Sequence, residues 1–230
     1  MRINFTLWDT CRSGGVRVIF EMANRLANRG HEVMITSLGL PRHHWFPLDR
    51  KVKIIYPELR YSISVLGRRI LIRKLGDQLL RKVRLPYNID PIRLLASSIP
   101  HDVDINVATF CFTAYAVYRS NKGHPFYYIQ HYEPLFFRSD PYLYKMAEET
   151  YYLPLRKFVV SKWLENLIKN KTKEEPIYLG NGVNTEIFYP RPVSKDGKDK
   201  IIMAIFRGIE WKGEKEILEA LNIVHKKFQT

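Results

Sequence analysis

Cysteine is scarce in this chain: only Cys11 and Cys111 occur, far apart and without metal-type spacing, so neither a disulfide framework nor a zinc site is indicated. Long apolar runs are also missing. Stretches such as Ala114 to Tyr118 and Ile201 to Phe206 fall well short of the roughly 20 residues a helix needs to cross a bilayer. The N-terminus opens directly on RINFTL, a strand pattern without the apolar core of a secretion signal, and the expected location is cytoplasmic. Acidic residues are the minority, 23 Asp and Glu against 37 Lys and Arg, and the formal net charge of +14 admits an anionic partner. No nucleic-acid-binding module or aromatic stacking motif accompanies that charge, which leaves phosphate-bearing small molecules and an anionic membrane surface as expected partners. No internal repeat is found.

What is present alternates. Ile3 to Leu7 reads as a strand, after which Val16, Ile19, Phe20, Ala23, Leu26 and Ala27 share one face of a helix that Gly30 is placed to cap. HEVMITSL and KVKIIYP follow as strands, and VDINVAT, PFYYIQ, KFVVS and PIYLGN continue the series. Short β-rich runs separated by helices predict a mostly parallel sheet covered on both faces, hence an α/β class.

The stretch PRPVSKDGKDK combines prolines, a glycine and charge with almost nothing apolar, and reads as a linker over 190–200. It separates a complete sheet domain, 1–189, from a segment at 201–230. There Ile201 to Phe206 reads as a strand, and Ile217, Leu218, Leu221, Val224 and Phe228 mark an amphipathic helix. A strand and one helix cannot bury a core of their own, so this segment is expected to be a truncated second βα unit.

A basic amphipathic stretch, VLGRRILIRKLGDQLLRKVRL at 65–85, sets Leu66, Ile70, Leu75, Leu79 and Val83 at helical spacing among seven Lys and Arg and a single acid, Asp77. Two readings stay open for it: a helix packed on the sheet, or one lying peripherally on an anionic membrane surface at the inner face of the cell membrane.

Five further features bear on chemistry. Gly14 and Gly15 lie between a strand and a helix, where backbone N–H groups can approach a phosphate or simply make a tight turn. They do not form G-x-G-x-x-G, which disfavours a dinucleotide-dependent dehydrogenase. His131 follows directly on FYYIQ, at a strand end where parallel sheets place ligand-contacting groups, though a structural histidine fits as well. Ser161 reads as a helix N-cap, and Asn181-Gly182 as a turn with positive backbone dihedrals. Arg207 and Lys212 flank the start of the last helix, where two cations and free N–H groups suit a phosphate.

Together, SGGVRVIFEMANRLANRGHEV, the strand-end QH, FVVSKWLENLI, LGNGVNTEIFYPRP and FRGIEWKGEKEILEAL resemble, over nearly the whole chain, a retaining glycosyltransferase of GT-B architecture from family 4. YYIQHYE looks most similar to its polysaccharide and rhamnosyl-transferring members. The resemblance implies a Rossmann-like, doubly wound domain on the acceptor side, a nucleotide-sugar donor, a glycan or lipid-linked acceptor, and neither cofactor nor metal. By position it implies that Gly14 and Gly15 face the donor diphosphate, that His131 contacts the donor sugar near the reacting carbon, and that Arg207 and Lys212 neutralise the departing diphosphate. It also implies that the paired glutamates holding sugar and ribose belong beyond Thr230, so that this polypeptide alone transfers nothing. A non-catalytic module assisting another transferase is the alternative. Two departures are visible: Tyr132 stands where an aspartate often follows the histidine, and Phe206 where a glycine usually precedes the arginine.

Overall fold

The structure, a computed structural model, describes residues 1–39, 43–57, 90–192, 202–206, 208 and 213–228. Strand β1 (Arg2–Leu7) leads to α1 (Gly14–Asn28), β2 (Glu32–Ser37) and β3 (Val52–Ile55). Helix α2 (Pro91–Ser98) precedes β4 (Ile105–Ala108), α3 (Cys111–Ser120) and β5 (His124–Ile129). Then come a 3-10 turn (Glu133–Phe137), α4 (Pro141–Glu149), a second such turn (Thr150–Tyr152), β6 (Arg156–Val159), α5 (Lys162–Thr172) and β7 (Ile177–Tyr178). All seven strands pair in parallel in the order β3-β2-β1-β4-β5-β6-β7. This is a Rossmann-like α/β sheet, and its strand order reverses direction between β1 and β4.

Alternation along the strands puts apolar side chains on both faces, which is why helices cover both. Ile3, Phe5 and Leu7 pack with Ile19, Phe20, Ala23 and Ala27 of α1. On the other face Ala108, Tyr127 and Ile129 meet Ala114 and Val117 of α3 and Leu164 and Ile168 of α5. Each such large side chain removed from water contributes roughly 1.5–3 kcal/mol. One stripe departs from this pattern. Asn4, Thr6, Thr36 and Asn106 are fully buried and bond one another across β2, β1 and β4, with Asn4 Nδ2 donating to Asn106 Oδ1 at 2.9 Å and Thr36 Oγ1 donating to Asn4 Oδ1 at 2.8 Å. A slip of one residue would strand these amides in apolar surroundings, so the stripe locks the register of the central strands.

Local signals set the helix ends. Ser13 Oγ accepts from Val16 N–H at 3.2 Å to start α1, and Ser161 Oγ accepts from Leu164 N–H at 3.2 Å to start α5. Helix α1 stops in a Schellman motif: Gly30, at φ +86°, donates to Ala27 O and His31 donates to Leu26 O, both at 3.1 Å.

Several strands are shorter than the sequence pattern suggests, most of all β7, where only Ile177–Tyr178 pair out of PIYLGN. The expected left-handed turn at Asn181-Gly182 is corrected, since neither residue has a positive φ. Asn181 Oδ1 accepts instead from Tyr128 Oη at 2.8 Å, which ties the chain to β5 as it leaves the sheet.

The described chain divides into two compact units, Met1–Gly182 and Val183–Thr230. In the second, α6 (Glu214–Phe228) forms where the apolar spacing places it, with Glu214 and Glu216 in its first turn and His225, Lys226 and Lys227 in its last, as the helix dipole favours. The strand expected at 201–206 is not found over 202–206, which have no ladder partner among the described residues and leave Ile202, Met203, Ile205 and Phe206 exposed. The basic stretch 65–85, most of the 190–200 linker, Arg207 and Lys212 lie outside the described residues. No helix among the described residues is long and apolar enough to cross a membrane.

Candidate functional site

Where strand order reverses, the loops leaving neighbouring strands part and open a crevice at their carboxyl ends. In this sheet the crevice lies between β1 and β4, and three loops border it: Trp8–Ser13 after β1, Thr109–Phe110 after β4, and Gln130 onward after β5.

The first loop delivers Gly14 and Gly15 as the opening residues of α1. Neither has a positive φ, so what glycine provides here is the lack of a side chain. A Cβ on Gly14 would meet nothing within 4 Å, leaving the helix end open in front of it. A Cβ on Gly15 would lie 3.2 Å from Gln130 Oε1, so Gly15 lets the β1 loop close on the end of β5. The Ser13 cap occupies the N–H of Val16, and the first turn carries no acidic side chain. The amides of Gly14 and Gly15 thus stand at the positive end of the helix dipole, while the Asp9 carboxylate of the same loop is engaged by the N–H of Cys11.

His131, next after Gln130, is half-buried, and its ring stacks on Phe136 with centroids 4.7 Å apart. Its Nδ1 lies 3.0 Å from Tyr132 O. A carbonyl only accepts, so Nδ1 carries the proton, and Nε2 is the acceptor nitrogen of the neutral ring. The structure therefore brings Gly14, Gly15 and His131 to one end of the sheet.

Two groups of residues at the crevice escape a reading of the sequence. The first is a run of aromatic rings from all three loops. Trp8 meets Phe112 at 5.2 Å, Phe112 meets Phe110 and Phe137 at 5.5 Å each, and Phe110 meets Phe136 at 6.4 Å. Phe136 remains about half exposed, at 47 %. The available signal was FCF and LFF placed just after strands, where polar turn residues are the norm.

The second is Glu133, which is buried at 2 % exposure. Its Oε2 accepts from Tyr127 Oη at 2.8 Å and from the backbone N–H of Cys111, the first residue of α3. Burial pushes its carboxyl up to about 8, against the opposing pull of those two bonds, so the group is mostly protonated at neutral pH. The second helix end at the crevice is thus closed by the protein's own acid. An anionic ligand finds α1 open and α3 occupied.

No protein-family model matches the chain, and no curated protein matches it either.

Proposed function

We propose that this chain is the acceptor-side domain of a retaining, metal-independent glycosyltransferase that moves a sugar from a nucleotide-sugar donor to a glycan or lipid-linked acceptor. One observation carries the reading: the open, glycine-lined N-terminus of α1 closes on Gln130, next to His131, at the point where strand order reverses. The chemistry follows from charge. As the glycosidic bond to the donor breaks, the departing nucleoside diphosphate gains negative charge, and fixed backbone donors stabilise it without reorganising. Gly14 and Gly15 supply such donors, and Arg207 and Lys212 would add cations. His131 would meet the donor sugar near its reacting carbon, with its ring set by Phe136 and Tyr132. The aromatic run from Trp8 to Phe137 supplies flat apolar faces of the kind a sugar ring or an isoprenoid chain packs against.

Calorimetric titration of the purified chain with nucleoside diphosphates and their sugar esters tests this. Salt-sensitive binding is expected, and Gly14→Asp should abolish it by setting a carboxylate at the open helix end. Silence across the whole panel, or equal binding by the variant, overturns the reading.

A further inference from the structure

Tyr132 O, the acceptor for His131 Nδ1, belongs to the same peptide group as Glu133 N–H. That peptide is trans, so its C=O and N–H point in opposite directions, and whatever holds the N–H also aims the carbonyl. Tyr151 Oη holds it. The hydroxyl accepts from Glu133 N–H at 3.0 Å and donates to His131 O at 3.4 Å, bridging the peptide groups on either side of Tyr132. The carbonyl end is shared with Leu135 N–H, which donates to Tyr132 O at 3.2 Å inside the 3-10 turn. That bond is local, whereas Tyr151 reaches the peptide from a different element. Tyr151 is itself fixed: it is fully buried, and its ring stacks against those of Tyr127 and Tyr132 with centroids 6.0 and 5.9 Å away. Tyr132 is tied at its far end, where its Oη donates to Glu148 Oε1 at 2.8 Å, a carboxylate also bound by Lys171.

We infer that Tyr151 is a positioning residue for His131: its buried hydroxyl orients the Tyr132–Glu133 peptide, whose carbonyl keeps the imidazole proton on Nδ1 and leaves Nε2 as the acceptor. A neutral imidazole side chain in water favours the opposite form, with the proton on Nε2, so the carbonyl has to impose the choice. It does so only while it points at the ring. Without the Tyr151 hydroxyl, Glu133 N–H becomes a donor stripped of its partner in a residue only 2 % exposed. The peptide then gains by rotating that N–H toward another acceptor, against the single short-turn bond from Leu135, and the rotation carries Tyr132 O away from Nδ1. The consequence is chemical. With its proton on Nδ1 the neutral ring accepts a hydrogen bond from a ligand at Nε2, and in the other form it donates one there. The use of this choice in sugar transfer rests on His131 belonging to the transferase site, whereas the choice itself does not.

Nitrogen-15 NMR of the full chain, labelled at the histidine rings, reads the tautomer directly, because a protonated and a bare ring nitrogen resonate far apart. On the deprotonated plateau of its titration, the His131 signal pair, assigned by its loss in His131→Gln, should report the Nδ1–H form in the wild type. Tyr151→Phe keeps the stacked ring and removes only the hydroxyl; the ratio of Nδ1–H to Nε2–H should then fall about three- to tenfold, the worth of one ordinary hydrogen bond. Tyr127→Phe is the control. It deletes an equally buried hydroxyl from the same stack, one that bonds the Glu133 carboxyl instead of the peptide, and it should leave the ratio at its wild-type value. A wild-type ring protonated on Nε2, a ratio unmoved by Tyr151→Phe, or equal shifts in both variants overturns the inference. Should Tyr151→Phe fail to fold, amide hydrogen exchange of the wild type decides: Glu133 N–H must be protected to the level of the central strands, and a freely exchanging amide overturns the inference. Failure of nucleotide binding with the tautomer shift intact would sink the functional reading and leave Tyr151 positioning His131.

Discussion

Replacing Glu133 by glutamine changes one atom and removes one equilibrium. The amide keeps an oxygen to accept from Tyr127 and Cys111 but cannot ionise. In the unfolded chain the carboxyl titrates at its ordinary value of 4.5, and in the folded protein burial moves it to about 8. Between those values the folded state binds more protons than the unfolded state, so stability must fall as pH rises. The contribution is fully present below 4.5 and lost by about 8, at ~1.4 kcal/mol for each pH unit, or about 5 kcal/mol over the interval. That is comparable with the whole stability of many domains. Urea unfolding of wild type and Glu133→Gln between pH ~5 and ~8 isolates the effect, since every other titrating group is common to both proteins. The wild type should lose about 4 kcal/mol relative to the variant over that range, ending as the less stable of the two. Parallel pH profiles would show that Glu133 ionises as it does in water and would refute the argument.

Gly123 turns the chain into β5 at φ +64°, and a Cβ there would stand 2.8 Å from Val103 O; Gly123→Ala should cost about 2–3 kcal/mol, and an unchanged thermal midpoint would contradict this. Lys157 has a side chain only 1 % exposed and donates to Leu153 O, Leu155 O and Glu174. Lys157→Met removes the ammonium from Leu155 O and leaves Leu153 O with Leu155 N–H, and should cost about 2–4 kcal/mol, while Glu174→Gln at the half-exposed end should cost under ~1 kcal/mol. A reversed order in denaturant melts would show that the ion pair, not the carbonyl bonds, holds the lysine. Ser161→Ala should cost about 1 kcal/mol through the lost cap, and Ser161→Asp should restore nearly all of it in the same melts.

The sheet and its helices were legible because each is written in adjacent residues. The spacing of Ile19, Phe20, Ala23 and Ala27, the serine caps and the glycine stop at Gly30 are local patterns, and local physics honours them. Gly14, Gly15 and His131 were legible for a related reason, since each sits at a strand end and a parallel sheet gathers its strand ends on one side. Glu133 was not. In QHYEPLFF a glutamate before proline reads as part of a solvated turn, and nothing adjacent contradicts that. Its burial depends on Tyr127, Tyr151 and Cys111, which stand 6, 18 and 22 residues away and arrive from three different elements. The polar stripe is a stronger case: Asn4 and Asn106 are 102 residues apart, and each alone looks like a flaw in a hydrophobic strand. The expected strand is absent over 202–206 for the opposite reason: its local pattern is sound, and a ladder requires a partner that no local pattern supplies.

Two helices begin at the crevice with the same dipole, and what the chain sets before each decides their use. A helix N-terminus attracts an anion with about half a unit charge whatever its sequence. At α1 two glycines and an acid-free first turn leave that attraction directed outward. At α3 the N-cap is Phe110, which has no polar atom to offer, and the role falls to Glu133 from another loop. Because that carboxyl is mostly protonated at neutral pH, it satisfies the N–H group and fills the space without cancelling the dipole. The positive potential of both helix ends therefore persists at the crevice, while only α1 leaves room for contact. A single buried acid, kept neutral by its surroundings, closes one helix end while the other stays open.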